Sequence, residues 1–418
     1  MERWVPGVGI TQLRVTNGRL AAALIAQKLA GDPAEKLFLA AVTGTNGKTT
    51  TAWIARHLLD TSNRPAASIG TVGVVRPGGD VVEGSVALTT PGPVELAERL
   101  REFVDDGVRS VVLEASSHAL EQYRLDGIRF DAAVFTNLTR DHLDYHETFE
   151  SYLEAKSRLA ELLSDNAPAL VKADEDAWKG LPIEPARRQT FGVDQAADLQ
   201  ARGLEPSPAE TRFVLEAAGE VERVHLPLLG RYNVENALGA VGIGLAAGIP
   251  LTVLVERLQS VPQVPGRLEV VVREPFTVVI DFAHTPAALE GVLTALRGTG
   301  RGRLIVVFGA GGDRDREKRP LMGAVVAAHA DLPVVTSDNP RTEDPAAIVE
   351  AVAQGVGAQR HLKIVDRREA IRAALDEARP GDLVLLAGKG HEQYQVIGQT
   401  RVPFDERAIV REALGEAA

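Results

Sequence analysis

The sequence has no cysteine. That excludes disulfides, thiolate nucleophiles and cysteine-ligated zinc or iron–sulfur centres. A reducing compartment needs none of them. No apolar run reaches the roughly 18 residues of a membrane helix. The opening MERWVPGVGITQLRV mixes charges with a proline and carries no apolar signal-peptide core. Basic residues are outnumbered, 46 against 57, for a net charge of -11. Such a surface repels nucleic acid and anionic membranes, although a local basic pocket for a small anion stays open. Internal repeats and low-complexity tracts are also missing. What remains is a chain of 418 residues, 45% hydrophobic and 25% charged. Composition of that kind belongs to a globular, cytoplasmic protein of two or three domains at roughly 150 residues each.

Apolar runs alternate with helical stretches, which predicts an α/β fold with mostly parallel sheets. Leu37–Val42, Val108–Leu113 and Ala132–Phe135 read as strands, and Thr49–Leu59, Phe149–Leu163 and Asn233–Ala247 as helices. Residues 189–228 carry turn signals and short alternations, which predict antiparallel strands. SVPQVPGRLE is the linker candidate. Beyond it, strands at Val278–Phe282, Leu304–Phe308, Pro333–Thr336 and Leu383–Leu386 alternate with helices such as Ala287–Leu296 and Arg367–Glu377. Four strands so arranged predict a separate doubly wound, Rossmann-like domain. The boundaries follow: 1–37, 38–265 and 266–418.

VTGTNGKTTT follows a strand and opens a helix, the context of a phosphate-binding loop. Gly44 and Gly47 let the backbone approach phosphate oxygens, and N–H groups of Thr45, Asn46 and the helix N-terminus face the anion. Lys48 supplies positive charge, and the hydroxyls of Thr49 and Thr50 follow it, with Thr49 placed for magnesium. Val42 stands where the commoner Walker spacing has glycine, so this is a shorter GxxGKT variant. The bland alternative is a glycine turn with an incidental lysine.

A magnesium nucleotide needs further oxygen donors. Glu114 ends the strand SVVLE on the side where open α/β sheets bind ligands; alone, it is more often a solvated charge. FTNLTRDHLDYH offers Asn137, Asp141, His142, Asp144 and His146, a moderate signal, since a histidine there also suits a helix cap. Lys156 in SYLEAKSRL, read by itself, is an ordinary helix-face lysine.

Together these stretches resemble the Mur ligases, the ATP-dependent amide ligases of peptidoglycan precursor synthesis. TGTNGKTTT, LTTP, EASSHAL, FTNLTRDHLDYH, EAKSRL, GRYNVENALGA and VPGRLE agree in order and spacing. DFAHTPAALE, FGAGGDRDREKRPLMG, TSDNPRTEDP and LLAGKGHEQYQ narrow the likeness to the members that add a diamino acid to the stem peptide. The likeness spans roughly residues 15 to 418 and implies ATP and Mg2+. It implies that Lys48 and Thr49 hold phosphates and magnesium, that Glu114 and His142 ligate magnesium, and that Lys156 is the family's carbamylated lysine. It places Asn236, Arg267 and Asp281 at adenine, phosphate and ribose. It sets Thr89, Thr90, Ser116, Arg124 and His284 against the UDP-muramoyl dipeptide.

The diamino acid determines the remaining chemistry. Meso-diaminopimelate ends in a carboxylate plus an ammonium, and a guanidinium fork suits the carboxylate. Asp338, Asn339 and Arg341 in DNPR, with Arg314 in GGDR, supply that set. Glu392 can pair the far ammonium, and Gly388 allows close approach. L-lysine or L-ornithine would leave a buried Arg341 unpaired. Arg341 as a surface turn residue is the alternative. LTTPGP departs from the family in Gly92, where a larger polar residue is usual. The resemblance also implies an N-terminal domain for the uridine end of the substrate. The loop here begins at Gly44 and only the end of that domain is matched, a helix near Gly18–Leu29 and GDPAEKL. A reduced N-terminal domain is therefore expected. A Mur-like ligase with another carboxylate acceptor, or a silent nucleotide-binding relative, are the competing readings. Oligomeric state is not encoded legibly.

Overall fold

A computed structural model describes residues 2–4, 6, 7, 9–82, 88–207, 210–299 and 302–415. The chain divides into two compact units. One comprises residues 1–204, 213–225 and 232–261; the other comprises 205–212, 226–231 and 262–418.

The first unit opens with α1 (Gly18–Leu29), capped by Asn17, whose side chain accepts from the Leu20 N–H. Strand β1 (Phe38–Thr43) runs into α2 (Lys48–Leu59). There follow β2 (Ala66–Gly70), β3 (Gly73–Val75), β4 (Val81–Val82), α3 (Pro93–Asp105), β5 (Ser110–Glu114), α4 (Ser117–Glu121) and β6 (Ala132–Phe135). The chain continues through α5 (Leu143–His146), α6 (Phe149–Ser157), β7 (Ala169–Lys172), β8 (Arg188–Val193), β9 (Leu199–Pro206), β10 (Thr211–Ala217), β11 (Glu220–Leu226), α7 (Arg231–Ala246) and α8 (Leu251–Leu258). The strands lie in the order β11-β10-β9-β8-β7-β6-β1-β5-β2-β3-β4. β1 pairs in parallel with β5 on one side and β6 on the other. From β1 the chain passes to β2 beyond β5, returns to β5 and then crosses β1 to reach β6, so the order reverses beside β1 and its carboxyl end is a topological switch point, the place where such sheets bind ligands. β1 is buried on both faces, which is why FLAAVT reads as a continuous apolar run. Its Leu39 N–H is taken by the Asp131 carboxylate at 2.8 Å.

Two expectations are corrected here. The helix predicted over Phe149–Leu163 is α-helical only to Ser157 and tightens to a 3₁₀ turn over Arg158–Leu162. The segment after 189 is not wholly antiparallel: β8 runs parallel to β7 and β9 parallel to β8. Asp198 sets that register, accepting from the Thr190 N–H at 2.7 Å and its hydroxyl at 2.8 Å. Antiparallel geometry begins with β10 and β11, joined by Ala218 and Gly219 alone, both at positive φ.

The second unit holds β12 (Glu269–Val272), β13 (Thr277–Asp281), α9 (Pro286–Arg297), β14 (Leu304–Phe308), α10 (Lys318–His329), β15 (Leu332–Val335) and α11 (Pro345–Val356). It ends with β16 (Leu362–Lys363), α12 (Arg367–Glu377), β17 (Leu383–Ala387), β18 (Tyr394–Ile397), β19 (Thr400–Pro403) and α13 (Glu406–Ala413). Its sheet has the order β12-β13-β17-β14-β15-β16, parallel from β13 to β16. Only β12 is antiparallel. The four predicted strands form its middle; the sequence reading missed the short edge strands β12 and β16. A buried pair ties the carboxyl ends together. Arg367 donates to Glu406 at 2.8 Å, to the carbonyl of Ala387 at 2.9 Å and to that of Ser337 at 3.4 Å. Among the described residues no helix is long and apolar enough to cross a membrane.

Candidate active site

In the first unit the loop between β1 and α2 is held against the ends of β6 and α7. Gly44 has φ 143°, and a Cβ there would sit 1.9 Å from the Thr136 hydroxyl. Gly47 has φ 89°, and a Cβ would lie 2.4 Å from Asn236 Oδ1. No other residue fits either position. Asn137 grips the loop from the β6 side, accepting from the Thr45 N–H on its carbonyl at 2.7 Å and from the Asn46 N–H on Oδ1 at 2.9 Å. Gly47 gives α2 no side-chain cap, so a bound phosphate can serve that end of the helix. Asn236, far off in sequence, joins the loop through the Thr51 hydroxyl at 3.2 Å.

Two lysines converge on one carbonyl. Lys48 Nζ donates to the Gly44 and Thr45 carbonyls, each at 2.9 Å, and Lys156 Nζ donates to the Gly44 carbonyl at 2.8 Å. Lys156 is 1% exposed and lies over the Tyr152 ring, 4.6 Å from its centroid. Burial, reinforced by the Lys48 ammonium, holds its amine well below the ordinary lysine range. Read as a surface helix residue on sequence alone, Lys156 instead points into the loop. Tyr152, which the sequence reading passed over, donates or accepts at the Thr45 hydroxyl at 3.1 Å. Its phenol is pushed up to about 12 by burial.

Glu114 is buried at the end of β5. Its carboxylate accepts from the Thr49 hydroxyl at 3.0 Å and from Thr71, by N–H at 2.7 Å and hydroxyl at 3.0 Å. Thr71 was also missed; a threonine after a strand carries no distinguishing signal. Thr50 is buried beside Thr49 in the first turn. Thr89 meets Thr71 at 3.3 Å. Thr90 donates to the Glu114 carbonyl at 2.6 Å and bonds Ser116 at 3.1 Å, while Arg124 donates to the Thr90 carbonyl at 3.0 Å. Thr71, Thr89, Thr90, Ser116 and Arg124 thus form one band continuous with Glu114. His142 precedes α5. It is exposed, at φ 53°, 3.7 Å from Asp141 and edge-on to His118. His146 is the buried histidine, sharing a 2.9 Å hydrogen bond with Ser117.

In the second unit Asp281 ends β13 and accepts from the Leu268 and Ala283 N–H groups, each at 2.7 Å. Burial raises its carboxyl above the usual range against the pull of Arg267. Arg267 lies over the Phe282 ring. His284 shares a 2.8 Å hydrogen bond with the Phe282 carbonyl, and its own carbonyl accepts from Lys318 at 3.1 Å. Asp338, Asn339 and Glu392 come together around Lys389, a residue the sequence reading overlooked. Gly388, at φ 117°, starts that turn, and a Cβ there would lie 3.6 Å from Asp338. Arg341 is half-buried rather than a loose surface residue. Its N–H donates to the Val396 carbonyl at 3.0 Å and its guanidinium to the Gly312 carbonyl at 2.7 Å. Arg314 is exposed and flanks the same Gly311 that Arg341 borders.

A model of the Mur ligase middle domain matches residues 42–244, and one of the Mur ligase glutamate ligase domain matches residues 266–390. The chain belongs to the Mur ligase family. This Mur ligase is 43% identical over 410 residues to the UDP-N-acetylmuramoyl-L-alanyl-D-glutamate–2,6-diaminopimelate ligase of Synechococcus elongatus, covering 97% of this chain and 81% of that protein. It is 38% identical over 411 residues to the like-named ligase of Clostridium botulinum, covering 97% and 84%. A solved structure of a ligase of that name superposes with a TM-score of 0.71 at 37% identity, over 97% of this chain and 85% of that one. Folylpolyglutamate synthase of Mycobacterium tuberculosis, solved with ADP, shares the fold, with a TM-score of 0.73 at 20% identity over 88% and 91%.

Proposed function

We propose that this Mur ligase joins meso-diaminopimelate to UDP-N-acetylmuramoyl-L-Ala-D-Glu at the expense of ATP. The observation that supports it most is the pairing of an intact phosphate loop with a DNPR–GKGHE pocket whose acidic groups and Arg341 can meet a zwitterionic side-chain end. A carboxylate is a poor acyl donor. Transfer of the γ-phosphoryl group of ATP to it gives an acyl phosphate and ADP. The neutral amine of the amino acid then attacks the carbonyl carbon. The C–O bond to phosphate breaks, phosphate leaves with the electron pair, and the amine loses a proton. The protein positions the reactants and offsets negative charge.

In this reading Lys48 serves the outer phosphates and Thr45–Thr50 the rest of the triphosphate. Asn236, Arg267 and Asp281 serve the nucleoside side. Thr89, Thr90, Ser116, Arg124 and His284 face the dipeptide. Arg314, Asp338, Asn339, Arg341, Gly388 and Glu392 face the amino acid. Thr49 and Glu114 are the protein oxygens that fit magnesium, with His142 and Lys156 nearby in the motif set. Among the described residues no trio of His, Asp or Glu forms a metal cage. That suits a hard ion that keeps waters and phosphate oxygens as ligands. Bound there, magnesium supplies charge neutralisation. Lys156 fits it only as an anion: a neutral amine adds to CO2, releases a proton and becomes a carbamate.

The test is an assay of released phosphate and product mass with Mg-ATP and the muramoyl dipeptide. Parallel tubes receive meso-diaminopimelate, L-lysine, L-ornithine or no amino acid. A new amide with meso-diaminopimelate alone is the expected result. Product with lysine or ornithine instead keeps the ligase and overturns the assignment of Arg341. Tight ATP binding without turnover on any of them overturns the acceptor.

A further inference from the structure

Lys389 is the one lysine in the second unit's pocket with no exposed surface, at 0%. It follows Gly388, whose N–H is fixed to the Asp281 carbonyl at 2.9 Å. Its ammonium donates to Asn339 Oδ1 and Glu392 Oε2, each at 2.9 Å, and to Asp338 Oδ1 at 3.4 Å. Three N–H bonds thus meet three acceptors. The arrangement also fixes the Asn339 amide. Its Oδ1 accepts from Lys389 and from the Val396 N–H at 2.9 Å, which turns Nδ2 toward Glu392 at 3.0 Å. Without the cation, Asp338 and Glu392 are two carboxylates reaching for one point, and like charges so placed repel. Two carboxylates against one ammonium leave the cluster one net negative charge. Glu392, with 20% of its side chain exposed, is the member that opens outward.

We propose that Lys389 is a positioning and specificity-determining residue for the amino-acid substrate. It is an internal cation that holds Asp338, Asn339 and Glu392 in a single arrangement and sets the charge of that cluster. The inference rests on the functional reading above. One negative charge suits the lone ammonium at the far end of meso-diaminopimelate, leaving its carboxylate to a guanidinium. Stripped of Lys389, the cluster carries two negative charges. It then favours a purely cationic end, such as that of L-lysine, over a zwitterion.

The test is Lys389→Met, which keeps the length and apolar volume of the side chain and removes the charge. The KM for meso-diaminopimelate should rise about tenfold or more, as for loss of one partner of a buried charge pair. The kcat at saturation and the KM for ATP should hold, and the ratio of kcat/KM for diaminopimelate over lysine should fall. A role in folding alone would lower kcat, thermal stability and affinity together, and that result overturns the proposal. An unchanged KM also overturns it. Glu392→Gln and the double variant complete a cycle. If Lys389 acts through its carboxylates, its substitution costs less in the Glu392→Gln background than in wild type; additive losses contradict the proposal. The double variant also lacks the orphaned Glu392 charge, so it reads the comparison even if Lys389→Met fails to fold. Calorimetric binding of meso-diaminopimelate to each protein reports on Lys389 without turnover. A wild-type chain that binds but does not turn over therefore fails the functional reading separately from this one.

Discussion

The two units each bury a lysine at the carboxyl end of a parallel sheet, and they treat it in opposite ways. Lys156 meets a neutral carbonyl and an aromatic face, with a second lysine beside it. Lys389 meets two carboxylates and an amide. Burial without an anion favours the neutral amine, whereas burial among carboxylates makes the ammonium a structural cation. The residue type is the same. The first setting favours a neutral amine, the second a cation held among carboxylates.

Substitutions can break this contrast, and the largest effect should come from Lys156→Met. Turnover should fall about a thousandfold, the upper range for losing a preorganised charge in a water-excluded site. Thermal stability should hold or rise, because the methionine replaces a buried amine that has no ion partner holding it. A large loss of melting temperature would place Lys156 with the structural cations instead. Next comes Arg367→Met in the second unit, which strands Glu406, 1% exposed, without its guanidinium. Loss of about 3 kcal/mol in denaturant unfolding is expected. It should be accompanied by weaker amino-acid binding, since Ser337 and Ala387 lose their shared donor.

Much of this was legible beforehand. Strands such as Leu304–Phe308 and Ala132–Phe135 are continuous apolar runs, because parallel strands are buried on both faces. The phosphate loop was readable because its glycines answer to local backbone geometry. Lys389 was not, because a lysine between two glycines looks like a solvated turn. Its burial depends on Asp338 and Asn339, some fifty residues earlier. Lys156 was misread from the chain alone for the same reason: the carbonyl that receives it is 112 residues away. Edge strand β16, two residues long, offers no period to detect.

A smaller effect sharpens the account of the second unit. His391 is pushed down to about 4, chiefly by burial and then by Arg267, and its Nδ1 is buried with no hydrogen-bond partner. The unfolded chain protonates this ring near its ordinary value of 6.5, so between 6.5 and about 4 it binds more protons than the folded one. Stability is therefore full above that upper value and falls as pH drops through the window, by up to about 3 kcal/mol. Unfolding followed at pH steps across that window should show the slope, and His391→Gln should flatten it. An equal slope in the variant would assign the proton uptake elsewhere. The smallest effect is Thr71→Val, which removes one hydroxyl from Glu114 and should cost about 1 kcal/mol in stability. Turnover should drop by less than in Lys156→Met.

The contrast between the two lysines is tested most directly by labelled bicarbonate. Wild type and Lys156→Met would each be equilibrated with isotopically enriched bicarbonate and Mg-ATP, and the carbamate carbon sought by nuclear magnetic resonance. The account predicts one carbamate signal in wild type, absent from Lys156→Met and retained in Lys389→Met. A fully active wild-type enzyme with no carbamate signal, or a signal that survives Lys156→Met, would contradict it.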